Sequence, residues 1–324
     1  MRAIQMLGHG KVAVLDDVPR PEPQEGEVLV QVRYAAICGS NIAPYTSVGR
    51  WAEGEYPKPP GWDGHENVGT IVESRLAGWE PGTVVLAHPQ DYCGFADFIR
   101  ARPPGLVRLP EEGDPAPWIA AQPLATVLRA MNRTGPVIGQ RCAVVGQGPM
   151  GLVFTHLLGR LGAAEVIGID LLAWRLEWAR RLGATHVVDA SATDPVEAVR
   201  ELTGGEMVDF AVEAVGFPDA LDTAARLPRR FGRLMVFGVP RFKTQVFPLE
   251  HVFRSEMEAV ASVGGECVHF FNTAVEMMVQ GRVDIGAMVR PRVPFAEAAR
   301  AFEMYANREE GTLKLVLELE EKRD

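Results

Sequence analysis

Three residues in the first quarter of the chain carry donor types that suit a catalytic zinc ion. Cys38 offers a soft thiolate, and the adjacent His65 and Glu66 offer an imidazole and a hard carboxylate. Further along, Gly146-Gln147-Gly148-Pro149-Met150-Gly151 has the spacing that seats a dinucleotide pyrophosphate on a helix N-terminus. A zinc that polarises an alcohol oxygen and a nicotinamide that takes its hydride together imply alcohol–carbonyl redox chemistry.

Gly-x-Gly-x-x-Gly arises in any glycine-rich turn, so its setting decides its meaning. Residues 142–145 form a short apolar strand before it, residues 152–161 a helix after it, and residues 166–170 the next strand, ending on Asp170. Gly146 permits the tight turn, Gly148 lets the backbone approach the pyrophosphate, and Gly151 lets helix and sheet pack closely. Pro149 and Met150, at the start of the helix, complete the cofactor-binding set. An Asp at position 170 accepts hydrogen bonds from both adenosine-ribose hydroxyls and repels a 2′-phosphate, which argues for NAD over NADP. Arg175 either flanks the same ribose or faces solvent.

The elements around these motifs divide the chain. Residues 28–34, 69–73, 81–86 and 94–99 are short β-rich runs punctuated by Pro and Gly. From about residue 120 strands and helices alternate: helix at 120–132, strands at 186–189, 208–212 and 233–237, and a helix at 176–182. Apolar strands in such alternation predict a parallel sheet covered on both faces. After about residue 264 the chain returns to helix and loop and ends in a strand-like run at 312–317.

At 324 residues and 47% apolar, the chain is long enough for two domains, each with its own core. A net charge of −9 argues against nucleic-acid or anionic-membrane partners. The N-terminal residues lack the apolar run of a signal peptide, and no stretch approaches the ~20 apolar residues of a membrane span. The four cysteines, Cys38, Cys93, Cys142 and Cys267, include no CxxC pair, which points to a reducing cytoplasm rather than a disulfide framework.

These motifs resemble the medium-chain dehydrogenase/reductase superfamily, specifically its zinc-dependent alcohol and polyol dehydrogenases. The matching segments are Cys38-Gly39-Ser40, Gly64-His65-Glu66-x-x-Gly69, Gln122-Pro123-Leu124-Ala125-Thr126 and the glycine turn at 146–151. Glu213-Ala214-Val215-Gly216, Phe237-Gly238-Val239-Pro240, Gly281-Arg282-Val283-Asp284 and Leu313-Lys314-Leu315-Val316 follow in family order over nearly the whole chain. The resemblance implies an α/β protein. A GroES-like β-rich catalytic domain (1–121 and 265–324) would accompany a Rossmann doubly wound parallel sheet (122–264), with the active site in the cleft between them. It also implies that Cys38 and His65 bind zinc and that Glu66 is a ligand exchangeable with water. Ser40 would pass the substrate proton toward solvent, Thr126 would pack beside the nicotinamide, and Gly238 and Val239 would line the cofactor turn.

Three departures from the family pattern carry expectations of their own. The cysteine-rich lobe that holds a structural zinc is missing, with only Cys93 between Pro81 and Phe98, so one catalytic zinc and no structural zinc is expected. Gln122 stands where Glu or Cys is usual, and an amide oxygen is a weak zinc ligand. Asn41 stands where an Asp normally supports the ligand histidine. The last two changes remove negative charge near the metal, leaving its immediate ligands about neutral against Zn²⁺.

The preferred function is NAD-dependent, zinc-assisted interconversion of a secondary alcohol (a polyol, sugar or cyclitol) and its ketone, by a homodimer or homotetramer. Arg50, Glu53, Glu55 and Asp63, among Trp51, Tyr56 and Trp62, favour a hydroxyl-rich or amine-bearing substrate. Two alternatives stay open on the residues: a zinc-free reductase of a carbonyl or activated double bond, and a non-catalytic NAD-binding protein. Cys93, Cys142 and Cys267 read as packing residues, and no spacing singles out His9, His88, His156, His186, His251 or His269.

Overall fold

A computed structural model describes residues 1–46, 54–244 and 246–320; Arg50, Trp51 and Glu53 lie outside the described residues. The chain opens with β1 (Ala3–Gly8) and β2 (Lys11–Leu15), then β3 (Val28–Ala36) and α1 (Gly39–Thr46). Four strands follow: β4 (Asn67–Ser74), β5 (Val84–Ala87), β6 (Phe98–Ala101) and β7 (Leu106–Arg108). After α2 (Ala121–Met131) the alternation begins with β8 (Arg141–Val145), α3 (Pro149–Arg160), β9 (Glu165–Asp170) and α4 (Ala173–Arg181). It continues through β10 (His186–Asp189), α5 (Pro195–Leu202), β11 (Val208–Glu213), α6 (Pro218–Arg226) and β12 (Pro228–Val236). Then come α7 (Leu249–Ser255), β13 (Glu258–Ala261), α8 (Phe271–Val279), β14 (Arg292–Pro294), α9 (Ala298–Ala306) and β15 (Val316–Glu318).

These elements form two compact units. One comprises Met1–Ala125, Cys267–Val279 and Gly286–Asp324; the other comprises Thr126–Glu266 and Gln280–Ile285. In the first, strands run β14-β15-β3-β4-β5-β7 across one sheet, and β6 also pairs with β3. β3 is buried along nearly its whole length because Val28, Val30 and Val32 pack into a core with Ile4, Met6, Phe95 and Phe302 while neighbours satisfy its backbone. Its antiparallel register sets Ala35 opposite Asn67 on β4 and Ala36 opposite Val316 on β15.

The second unit has six parallel strands in the order β10-β9-β8-β11-β12-β13. Counted from β8 this is the 3-2-1-4-5-6 order of the dinucleotide fold, with the strand order reversing between β8 and β11. Its strands are apolar because both faces are covered; Val144, Ile167, Ala211 and Leu234 are fully buried. Three runs differ from the sequence expectation. The final strand covers only Val316–Glu318, since Leu313 and Lys314 direct their N–H groups to the carbonyls of Arg290 and Met288, ahead of β14. The strand expected over 94–99 begins at Phe98, and β12 starts five residues early, across a register shift. No helix among the described residues is long and apolar enough to cross a membrane.

Candidate active site

The register of three neighbouring strands assembles the metal-ligand candidates. Ala36 at the end of β3 donates its N–H to the Glu66 carbonyl at 3.0 Å, and Ile37 donates to the Leu315 carbonyl at 3.0 Å. Cys38 therefore leaves β3 between the start of β4 and the approach to β15. One sulfur, one imidazole nitrogen and one carboxylate oxygen from Cys38, His65 and Glu66 all lie within 4.8 Å of one another. His65 Nε2 stands 4.0 Å from Glu66 Oε1.

The fourth charged group was not singled out from sequence. Lys314 is 1% exposed, and its Nζ lies 2.8 Å from Glu66 Oε1, to which it donates, and 2.6 Å from Oε2. Two charges removed from water this completely hold only because they face each other. Burial lowers the Lys314 pKa, but the Glu66 carboxylate and the Cys38 sulfur outweigh it, so the ammonium is held charged. The signal was present in Leu313-Lys314-Leu315-Val316-Leu317, where a lone cation in an apolar run needs a buried partner.

The electrostatics of the cluster favour a thiolate. Burial and the Glu66 carboxylate push the Cys38 thiol up, but Lys314 and His65 outweigh them and the net pKa falls below that of ordinary cysteine. Burial, with nearby carboxylates, pushes Cys93 and Cys142 up instead, to about 11 and about 12. Burial disfavours the His65 cation, but bonds to Asp63 and Cys38 raise its pKa well above the ordinary value. His65 Nδ1 lies 3.0 Å from Asp63 Oδ1 and 2.9 Å from the Asp63 carbonyl oxygen. Asp63, expected to bear on substrate choice, turns toward the histidine. The negative charge expected to be lost with Asn41 is thus present one residue-pair away, and a buried cation, Lys314, offsets Glu66.

Ser40 lies on α1, and its Oγ is a buried atom with no hydrogen-bond partner among the described residues. Gln122, 6% exposed at the start of α2, donates through Nε2 to Cys267 Sγ at 3.8 Å. Beside His65 lie two rings that spacing did not reveal: His88 at 6.4 Å and Tyr92 at 6.5 Å between centroids, packed edge to face at 4.8 Å. Burial, then the charge on His65, lowers the His88 pKa to about 4, so this ring is neutral near pH 7.

In the other unit the glycine turn is built by close approach. Gly146 has φ +90° at the end of β8, and a Cβ on Gly151 would stand 1.7 Å from the Gly146 carbonyl oxygen. A Cβ on Gly148, in contrast, would meet only Arg175 Nη1, at 3.7 Å. That open backbone at the N-terminus of α3, with Pro149 and Met150 beginning the helix, leaves room for a phosphate. Asp170 accepts from the Gln147 N–H at 2.6 Å and the Leu172 N–H at 3.0 Å, with Arg175 Nη1 4.0 Å from its Oδ2. Glu213 accepts from the N–H groups of Val215 and Gly216 and lines a pocket with Gly216, Gly238 and Pro240, beside Val239. Thr126 is 9% exposed in this unit, near Gly264.

The donor set fits a catalytic zinc. Thiolate, imidazole and carboxylate are the ligand types it takes, and the observed spread is little wider than the roughly 3.5 Å between donors of a tetrahedral shell with ~2.0–2.3 Å bonds. Two of the three side chains are only partly buried, which leaves an approach for a small molecule.

Residues 24–110 match the model of the alcohol dehydrogenase GroES-like domain, and residues 149–280 match that of the zinc-binding dehydrogenase domain. The chain is 24% identical to L-threonine 3-dehydrogenase of Bacillus velezensis over 344 residues, covering 98% of this chain and 99% of that one. It is 28% identical to sorbitol dehydrogenase of Bos taurus over 320 residues, covering 89% of this chain and 88% of the relative. Among solved structures it matches alcohol dehydrogenase TADH from Thermus sp. ATN1 with a TM-score of 0.86 and 27% identity, over 99% of this chain and 100% of that one. Taken with the ligand cluster and the glycine turn, these matches show that the chain belongs to the zinc-type alcohol and polyol dehydrogenases of the medium-chain dehydrogenase/reductase superfamily.

Proposed function

We propose that this protein interconverts a secondary alcohol of the polyol or sugar class and its ketone, with NAD as the hydride carrier and a single zinc at Cys38, His65 and Glu66. The observation that carries the reading is the convergence of those three donors within 4.8 Å at one end of the β15-β3-β4 register. When bound, zinc supplies Lewis acidity that lowers the pKa of a substrate hydroxyl. When bound, the nicotinamide supplies the hydride acceptor.

The chain's own residues do the rest. Ser40 Oγ, buried and without a partner among the described residues, accepts a hydrogen bond from the substrate hydroxyl and relays its proton toward solvent, giving up its own as it takes the substrate's. Lys314 pairs with Glu66 and fixes it, so the carboxylate holds its place whether or not it ligates. Gln122, its nitrogen turned to Cys267, would offer its amide oxygen as a further donor to the zinc. His88 and Tyr92 present a neutral imidazole and a phenol beside His65, suited to a substrate with more than one hydroxyl. In the second unit the Gly148 cradle takes the pyrophosphate, Asp170 the ribose hydroxyls with Arg175 beside them, and Thr126, Gly238 and Val239 the nicotinamide end.

The test is elemental analysis of purified protein combined with turnover of a polyol, sugar and cyclitol panel using NAD⁺ and NADP⁺. The reading expects one zinc per chain and NAD⁺-linked oxidation of at least one polyol. Metal-free protein with full turnover, or two zincs per chain, overturns it.

A further inference from the structure

We propose that Asp63 is the positioning residue for His65, supplying the carboxylate that orients the imidazole and strengthens its ring as a metal donor, and that Asn41 is the clamp that holds Asp63 in that task. The proposal rests on the reading of His65 as a metal ligand. Its basis is a closed set of hydrogen bonds. His65 Nδ1 lies 3.0 Å from Asp63 Oδ1, which fixes Nε2, the nitrogen facing Glu66, as the one turned toward the donor cluster. Asn41 is 1% exposed and uses both ends of its amide. Its Oδ1 accepts the Cys38 N–H at 2.7 Å, while its Nδ2 donates to the Asp63 carbonyl at 2.9 Å and to Asp63 Oδ1 at 3.2 Å. One buried side chain thereby ties the backbone of the cysteine donor to the residue that orients the histidine donor.

The chemistry explains why the pair reads Asn and Asp. A carboxylate at 41 would lose the donor that Asp63 needs and would place two like charges about 3 Å apart. An amide at both positions would leave the imidazole with a neutral partner and a less basic ring. The arrangement provides one negative charge at His65 and a neutral residue to hold it. Carboxylate–imidazole pairs of this kind raise the donor strength of the ring, and their loss typically weakens metal binding by 10–100-fold, on the order of 1.4–2.7 kcal/mol.

The backbone carbonyl of Asp63 also reaches His65 Nδ1, at 2.9 Å, so the experiment must separate side chain from main chain. Zinc dissociation constants are measured by chelator competition for the natural protein, Asp63→Asn, and the exchanged double variant Asn41→Asp/Asp63→Asn, together with the visible spectrum of each loaded with cobalt(II). Asp63→Asn keeps the carbonyl and the shape but removes the charge. The expected result is a ten- to hundredfold weaker zinc complex for Asp63→Asn, an altered cobalt band, and recovery of part of the lost affinity in the double variant, because the charge is restored one hydrogen bond from the same ring. Equal zinc affinity in Asp63→Asn overturns the proposal and assigns the orientation to the carbonyl alone. If Asp63→Asn folds poorly, the double variant decides: zinc affinity within about tenfold of the natural protein's supports the pairing, and a deeper loss overturns it. A natural protein that binds no zinc at all overturns instead the reading of the ligand cluster on which the proposal rests.

Discussion

The ligand cluster and the glycine turn are built on opposite plans. The glycine turn is a continuous stretch of chain in which backbone does the work. A positive-φ glycine ends β8, a crowded glycine follows at 151, and one glycine between them leaves its backbone uncovered. The ligand cluster draws on three separated stretches, around residues 38–41, 63–66 and 314, and side-chain charge does the work. A site made of local backbone tolerates change in its side chains and fails when a Cβ is added. A site made of buried charges from distant segments fails when any one charge is removed, because each leaves another unpaired.

Several substitutions test that contrast. The largest effect is expected from Cys38→Ala, which removes the thiolate and with it the metal. Turnover should fall by roughly a thousandfold or more, the several kcal/mol a catalytic metal supplies, while calorimetry finds NADH affinity unchanged. A parallel loss of NADH binding would break the contrast, since it would make the two sites one system. Lys314→Met comes next. It leaves Glu66 buried without its cation and is expected to lower the denaturation free energy of the metal-free protein by about 3–5 kcal/mol. Adding Glu66→Gln should recover most of that; a mild effect of Lys314→Met alone would mean that water or another group already serves Glu66.

A smaller effect is expected in the glycine-turn unit, where one side chain does matter. Asp170 should favour NAD(H) over NADP(H) by at least about tenfold, ~1.4 kcal/mol, and Asp170→Ser should narrow the gap. Equal affinities in the natural protein would mean that Arg175 offsets the Asp170 charge toward a 2′-phosphate. The smallest effect is expected from Gln122→Glu. If its oxygen faces the metal, the added charge should slow zinc loss to chelator and shift the rising limb of the pH–rate profile upward, because a more anionic shell stabilises the alcohol's ionised form less. A raised KM with unchanged chelator sensitivity would make Gln122 a substrate contact, and no change in either would leave its bond to Cys267 as its whole role.

The same division governs what could be read from residues alone. The 146–151 turn, the strands on either side and Asp170 were legible because their spacing is itself the structure: strand, tight turn and helix must follow within a few residues. Cys38, His65 and Glu66 were legible by type. Their partners were not. Asp63 sits in a loop where charged residues are usually solvated, and its bond to His65 depends on how that loop returns to β4. Asn41 read as a lost charge because its partner could not be seen. Lys314 becomes meaningful only once β15 is known to lie beside β3, a pairing of residues far apart in sequence that no local pattern encodes. His88 and Tyr92 reach His65 for the same reason, through the fold of the segment after β5.

The pairing of Glu66 with Lys314 also sets an order in time. The two are 248 residues apart, and at ~5–20 residues per second the ribosome needs roughly 12–50 s to travel from one codon to the other. All of the six-stranded parallel sheet is synthesised within that interval. The nascent GroES-like segment therefore exists for that long as a sheet lacking β15, with an acidic group at its centre still to receive its cation. During that window Glu66 has no buried cation to face, so the interior around Cys38 can dry only after the last strand arrives. Closing of the cluster of Cys38, His65 and Glu66, on this schedule, is a late event in the life of each new chain.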